Sequence, residues 1–319
     1  MSRFTFWLSI FLACAPRTAL AIEPTSLPPA DREGESRILG LSIPKGVQVR
    51  LVADSTQLQS PVANCVDRRN RVFAAEVHRF NRGTEENRNR TFLLEEDLKA
   101  ETIEDRLAAY ERHIDQFGGS LDYFTQYSDR IVRLTDHDGD GRMDERRVFA
   151  DDFRDPLSGL GSGLSARGRY VWYTNVPDLW RLDDRDDDGV ADAREVIVRG
   201  FGVQNAFLGH DLHGLTWGPD GKLYFSIGDR GFHVETPDGQ IWHGPRNGAV
   251  FRCLPDGSEF EVVFEGLRNP QDLAFDDEGN LFTGDNNCDK GDYGRLVYIV
   301  EGGHAGWNMA YQTLVEPYL

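Results

Sequence analysis

A motif of the form apolar-x-apolar-x-x-Asp/Glu-Gly-x-Leu-aromatic occurs twice in the last third of the chain. It appears as Leu215, Trp217, Asp220, Gly221, Leu223 and Tyr224, and again as Leu273, Phe275, Glu278, Gly279, Leu281 and Phe282. Apolar alternation on both sides of an acidic residue and a glycine describes two short strands joined by a tight turn. Looser copies run through Val66, Asn70, Val72 and Phe73, and through Leu164, Gly168, Val171 and Trp172, giving four strand-turn-strand units. A repeat of roughly 40 to 50 residues built from short strands is the sequence signature of propeller blades, because one such unit cannot bury its apolar face alone. With 39% hydrophobic residues and 33 glycines, the composition suits an all-β domain with many turns. The expected fold is a partial β-propeller of about four blades over residues 44–319, preceded by a linker at 22–43.

A second repeat aligns without a gap, RLTDHDGDGRMDERRVFADDF on RLDDRDDDGVADAREVIVRGF. It maps Asp136, Asp138, Asp140, Gly141 and Asp144 onto Asp184, Asp186, Asp188, Gly189 and Asp192. Both copies read D-x-D-x-D-G-x-x-D, in which the glycine permits the turn that gathers alternate carboxylates. Hard oxygen ligands at these intervals suit Ca2+ better than a transition metal. The twelfth loop positions are Arg147 and Glu195, and the loops are not read as full EF-hands. The competing reading is a pair of solvated acidic turns.

Residues 1–21 combine Arg3, an apolar run from Phe4 to Ala13, and Ala19-Leu20-Ala21 as a small-residue cleavage site. This pattern predicts a cleaved signal peptide and a periplasmic or secreted protein. No other stretch reaches the roughly 20 apolar residues of a membrane span. The formal net charge of −18 becomes more negative once Arg3 and Arg17 are removed, which disfavours nucleic acid as a partner. Removing Cys14 leaves Cys65, Cys253 and Cys288, compatible with one disulfide and one free thiol whose identities the sequence leaves open.

One segment breaks the strand pattern. Leu94, Leu98, Ile103, Leu107, Tyr110, Ile114 and Phe117 follow a helical spacing, which predicts an amphipathic helix inserted at about residues 84–127 between the first two units.

The polar residues with chemical potential sit at the ends of the repeated strands. They are His210 and His213 in GHDLHGL, Gly228-Asp229-Arg230 in SIGDRG, and Arg268-Asn269-Pro270-Gln271 in GLRNPQDLAFD. In a radial sheet protein such positions converge on one opening. A neutral imidazole is a useful base near neutral pH, and a carboxylate on its far nitrogen fixes the tautomer. His213 competes with His210 for that role.

The segments GLTWGPDGKLYFSIGDRG, GLRNPQDLAFD and LVYIVEGGHAGWNMAY resemble the soluble quinoprotein glucose dehydrogenase and glucose/sorbosone dehydrogenase propellers. They are more closely similar to the membrane-bound dehydrogenases of PVC-group bacteria. The resemblance implies a six-bladed propeller, incomplete in this chain, that binds pyrroloquinoline quinone on its axis. It further implies that His210 removes a sugar or alcohol hydroxyl proton with Asp229 as its carboxylate partner. Arg268 and Asn269 would contact the quinone oxygens, and backbone near Asn287 and Cys288 would hold a cofactor calcium.

Two departures bear on these expectations. The glutamine that the family places early in the propeller has only Ser158 or Ser162 in its place, and the family's later quinone-binding lysine and arginines have no counterpart before Leu319. The chain is therefore expected to be a fragment of a longer protein. It holds no C-x-x-C-H haem motif, so the resemblance implies an electron acceptor that is either a separate protein such as a cytochrome c or part of the longer protein. Two other readings stand beside the dehydrogenase: a non-catalytic glycan- or protein-binding propeller, and a calcium-dependent lactonase-type hydrolase.

Overall fold

The computed structural model describes residues 36–287 and 292–313. The signal peptide expected at 1–21, and Cys288, lie outside the described residues. By internal contacts the chain divides into two compact units. Of the described residues, the first comprises those up to Gln59 with Leu134–Arg146, and the second comprises Ser60–Arg133 with those from Arg147 onward.

Within the second unit the repeated motif folds as the sequence predicts, each copy supplying the first two strands of a sheet. The first sheet has the order β1-β2-β3-β4, with β1 at Pro61–Val66, β2 at Val72–Glu76, β3 at Asp129–Thr135 and β4 at Glu145–Phe153. The tips of β3 and β4, with the loop between them, belong to the first unit. The second sheet runs β5 (Gly161–Arg167), β6 (Tyr170–Asn175), β7 (Asp178–Asp183) and β8 (Ala193–Arg199). The third begins with β9 (Leu212–Trp217) and β10 (Leu223–Ile227). A separate hairpin of β11 (Phe232–Glu235) and β12 (Ile241–Gly244) intervenes before β13 (Gly248–Cys253) and β14 (Glu261–Leu267) complete it. The fourth sheet contains β15 (Leu273–Phe275), β16 (Leu281–Asp285) and β17 (Arg295–Ile299). The short β18 (Gly303–His304) returns to lie parallel to β14.

These four sheets are propeller blades. Strands β1, β5, β9 and β15 contact one another in that sequence, so the first strand of each blade faces the same interior. The apolar cores lie between successive sheets, and the second and third sheets are apolar on both faces. Phe73, Ile131 and Phe149 of the first sheet pack on Leu164, Val171 and Tyr173 of the second. Trp172 and Leu179 of the second meet Leu212, Phe225 and Phe251 of the third. Tyr224 and Val250 of the third meet Leu273, Leu281 and Ile299 of the fourth. Cys65 and Cys253 are free thiols on different sheets, and burial pushes both up to about 12.

The inserted segment differs from the single helix its periodicity predicts. It enters the first sheet between β2 and β3 and contains α1 (Leu94–Lys99), α2 (Ile103–Arg112) and three short 3-10 turns. The break has a local cause. Ala100 is extended, and Thr102 caps α2 through a reciprocal capping box with Asp105, which stops α1 and restarts the helix. Gly118, with φ of 77°, ends the following turn in the left-handed region. Of the predicted apolar positions, Ile103, Tyr110 and Phe117 are buried in a core with Leu93, Phe124, Leu157 and Val203, and Leu107 packs against it, whereas Leu94, Leu98 and Ile114 are only half-buried and lie outside it. No helix among the described residues is long and apolar enough to cross a membrane.

In the first unit, the chain around Arg50–Gln57 packs on the loop after β3. Met143 N–H donates to Val52 O at 3.0 Å, and Arg146 Nε donates to Gln57 O at 2.7 Å.

Candidate functional site

The site is assembled at one end of the β9–β10 hairpin. Its register pairs Leu212 with Ile227 and His213 with Ser226, so the residues just before β9 lie opposite those just after β10. Two crossing pairs result. His210 Nδ1 lies 2.7 Å from Asp229 Oδ1, and Arg230 Nη1 donates to Asp211 Oδ1. All four side chains are buried, with Asp229 and Asp211 fully so. Arg230 is tied down further by donation from Nε to Gln204 O at 3.0 Å. The two turns are thus locked by charge-assisted bonds on adjacent residues, a geometry that fixes the imidazole in both position and direction.

A carboxylate can only accept, so Nδ1 carries the proton, and in the neutral imidazole the second ring nitrogen, Nε2, is the one with the free lone pair. No described residue hydrogen-bonds that nitrogen. Phe207 stands edge-on to the imidazole, with ring centroids 5.4 Å apart. His213 is differently engaged. Its Nε2 faces Gly209 O at 2.9 Å, and burial pushes its pKa down, so it ties the turn ahead of β9.

The loop before β15 closes the other side. Asp229 N–H donates to Arg268 O at 2.7 Å, and Ser226 Oγ donates to Pro270 O at 2.7 Å, fastening this loop to the end of β10. Asp285, the last residue of β16, accepts from the N–H groups of Arg268 at 3.0 Å and Asn269 at 2.8 Å. Its other oxygen accepts from Arg295 at 2.6 Å. The Arg268 guanidinium is buried between two aromatic rings, 5.8 Å from the centroid of Phe207 and 5.7 Å from that of Trp307. Trp307 completes the site: its Nε1 donates to Asp229 Oδ2 at 2.9 Å.

The structure therefore brings His210, Asp229, Arg268 and Asn269 together. Asn287 is half-buried just beyond Asp285 and donates from Nδ2 to Asp292 O at 3.2 Å. Cys288 is outside the described residues. Sequence reasoning missed Phe207, Trp307 and Asp285. The GWN sequence at 306–308 was the one available signal, a tryptophan set in a glycine-rich loop.

The inserted segment reaches the same loops. Asp97 accepts from the backbone N–H of Asn205 and Ala206, and Glu86 accepts from Leu208 N–H at 3.2 Å. Arg88 lies over the Phe207 ring, 4.1 Å from its centroid.

The two Asp loops gather carboxylates in sets of three. Asp136, Asp138 and Asp144 form one set, and Asp184, Asp186 and Asp188 the other, each with its oxygens within 4.8 Å of one another. Asp140 and Asp192 fall outside these sets; like the triad members Asp144 and Asp188 they accept local backbone N–H groups, Asp140 from Arg142 at 2.7 Å and Asp192 from Arg185 at 2.6 Å. Glu195, at the twelfth position of the second loop, lies on β8 and pairs with Arg181 at 2.7 Å.

Comparison with known proteins places this geometry in context. A curated relative, quinoprotein glucose dehydrogenase B of Acinetobacter calcoaceticus, is 32% identical over 124 residues, which is 31% of this chain and 26% of that protein. The chain therefore matches about a quarter of the curated relative's length. A PQQ-bound aldose sugar dehydrogenase from Streptomyces coelicolor has a TM-score of 0.46 at 19% identity, over 81% of this chain and 64% of that one. A glucose dehydrogenase-type oxidoreductase from Thermus thermophilus has a TM-score of 0.44 at 19% identity, over 79% and 66%. The family model described as a domain of unknown function, DUF7133, matches residues 34–302, and the chain belongs to that family.

Proposed function

We propose that the chain is an exported propeller of the quinone-dependent sugar or alcohol dehydrogenase type, with His210 as the base that takes the substrate's hydroxyl proton. The observation that carries this reading is the buried contact of 2.7 Å between His210 Nδ1 and Asp229 Oδ1. It fixes the tautomer with Nε2 as acceptor, and the carboxylate stabilises the imidazolium that forms when Nε2 is protonated. Arg268, which flanks the same Phe207 ring as His210, adds a fixed positive charge near the imidazole, suited to stabilising negative charge that develops there.

The residues present fit a planar, anionic cofactor. A buried guanidinium lies between two aromatic rings, and Asn269 Oδ1 is buried with no hydrogen-bond partner among the described residues. Arg268 and Asn269 would hold the group, with Asn287 and Cys288 supplying backbone ligands to an accompanying calcium. When bound, pyrroloquinoline quinone supplies the hydride acceptor. The proposed substrate is a sugar or alcohol, and the proposed electron acceptor is a separate cytochrome c.

The lactonase alternative needs three or four acidic or amide side chains around one axial metal. Beside His210, the acids Asp229 and Asp211 are instead engaged by His210 and Arg230, and the acidic triads among the described residues occur on the β3–β4 and β7–β8 loops. This favours the dehydrogenase reading.

The test is dye-coupled oxidation of a panel of sugars and alcohols by the complete protein loaded with pyrroloquinoline quinone and Ca2+. His210→Ala is expected to lower turnover by roughly two to four orders of magnitude with the circular dichroism spectrum unchanged. If the complete protein neither binds the quinone nor oxidises any member of the panel, the binding-propeller reading replaces this one.

A further inference from the structure

We propose that Trp307 is a positioning residue for His210, its indole N–H holding the Asp229 carboxylate in the orientation that keeps a proton on His210 Nδ1. The consequence for turnover rests on His210 being the base; the positioning itself rests on geometry alone.

The three side chains form a hydrogen-bonded series. Trp307 Nε1 donates to Asp229 Oδ2 at 2.9 Å, and Asp229 Oδ1 faces His210 Nδ1 at 2.7 Å. Trp307 is 7% exposed and Asp229 fully buried, so water does not readily replace the indole as donor. A donor on each oxygen opposes rotation of the carboxylate about its Cβ–Cγ bond, so the indole N–H on Oδ2 helps to set the lone-pair direction that Oδ1 presents to the imidazole. A phenylalanine would fill much of the same volume, so packing alone does not call for the N–H.

The backbone places this indole with several anchors. After β17 the chain turns at Gly302, and β18 pairs in parallel with β14, Gly303 opposite Phe264 and His304 opposite Glu265. Ala305 N–H then donates to Glu265 O and Trp307 N–H to Gly266 O, both at 2.9 Å, and Met309 N–H donates to Arg246 O at 2.6 Å. Gly266 is needed for this approach, since a Cβ there would lie 2.4 Å from the His304 ring. The same indole ring also flanks the Arg268 guanidinium at 5.7 Å, so one residue braces both the imidazole's partner and the neighbouring cation.

The experiment uses 15N NMR of the histidine side chains in the whole chain, with Trp307→Phe and with a benzothienylalanine isostere at 307 that replaces the indole N–H by sulfur. In the unsubstituted protein His210 is expected to show the Nδ1–H tautomer, and His210→Gln is expected to move the Trp307 indole N–H resonance. Both variants at 307 should shift His210 toward mixed tautomers. In the quinone-loaded complete protein both should lower kcat about ten- to a hundredfold with little change in KM. If Trp307→Phe does not fold, the isostere, which preserves shape, decides. Unchanged His210 15N shifts in the isostere overturn the proposal. If the tautomer responds but the unsubstituted complete protein oxidises nothing, the positioning stands and the dehydrogenase reading falls.

Discussion

Gly228 shows how little room surrounds the base. A Cβ at this position would lie 2.8 Å from His210 Cβ and 2.9 Å from both its Cα and its carbonyl oxygen, all contacts closer than real side chains make. Gly228→Ala is therefore expected to displace His210 from Asp229, destabilise the fold by about 1–3 kcal/mol and abolish whatever chemistry the imidazole supports. Urea denaturation and the His210 15N spectrum check this, and a variant with the parent's stability and spectrum would contradict it. Asp178 offers a pH test. Burial pushes its carboxyl up to about 6, against the opposing pull of Arg199 at 2.9 Å. Unfolded, it titrates near 3.9, so between these values the native state binds more protons than the unfolded one. Its contribution to stability is then greatest below about pH 4 and is lost as the pH rises through about 6. Relative to Asp178→Asn, the parent should lose stability across that window in thermal melts, and a flat difference would contradict the assignment.

At the scale of elements, the insertion between β2 and β3 acts as a clamp on the segment leading into β9. Asp97 alone accepts from Asn205 N–H at 2.8 Å, Ala206 N–H at 3.0 Å and the Asn87 amide at 2.9 Å, and burial raises its pKa. Asp97→Ala strands these donors where water is excluded, at a cost of about 1–3 kcal/mol each. A loss of roughly 3 kcal/mol or more is expected in urea denaturation, whereas a change below about 1 kcal/mol would show that the segment holds itself. The Asp loops are the second element with a measurable consequence. Asp136, Asp138 and Asp144 crowd three carboxylates within 4.8 Å, as do Asp184, Asp186 and Asp188, and a hard divalent cation relieves that repulsion. Excess Ca2+ is expected to raise the thermal midpoint relative to chelator by mass action. Asp136→Ala combined with Asp184→Ala should remove the shift. Equal midpoints with Ca2+ and with chelator would leave the loops as solvated turns.

For the molecule as a whole, what the sequence by itself determined is what local geometry encodes. The alternation at Leu215–Tyr224 and Leu273–Phe282 marks strand pairs because side chains on a strand repeat every two residues and the Gly221 and Gly279 turns are local, with φ of 80° and 85°. The pairing of His210 with Asp229 was legible only through the resemblance of GLTWGPDGKLYFSIGDRG to the quinoprotein propellers, because the β9–β10 ladder shifts register between Tyr224 and Ser226, which the turn does not specify. The helical spacing from Leu94 to Phe117 identified Ile103, Tyr110 and Phe117 of the insertion's buried face, but not Leu93 or Phe124. It did not reveal the break at Ala100–Thr102, because a capping box and a continuous amphipathic pattern coexist in the same residues. Only the tertiary structure decided the rest. Asp285 reaches the N–H groups of Arg268 and Asn269 from the end of another strand, and Trp307 reaches Asp229 because β18 folds back parallel to β14. It likewise decided that Asp97 grips Asn205 across a large separation in the chain. Such contacts depend on how sheets stack and where the chain returns, which residue period and turn chemistry do not specify.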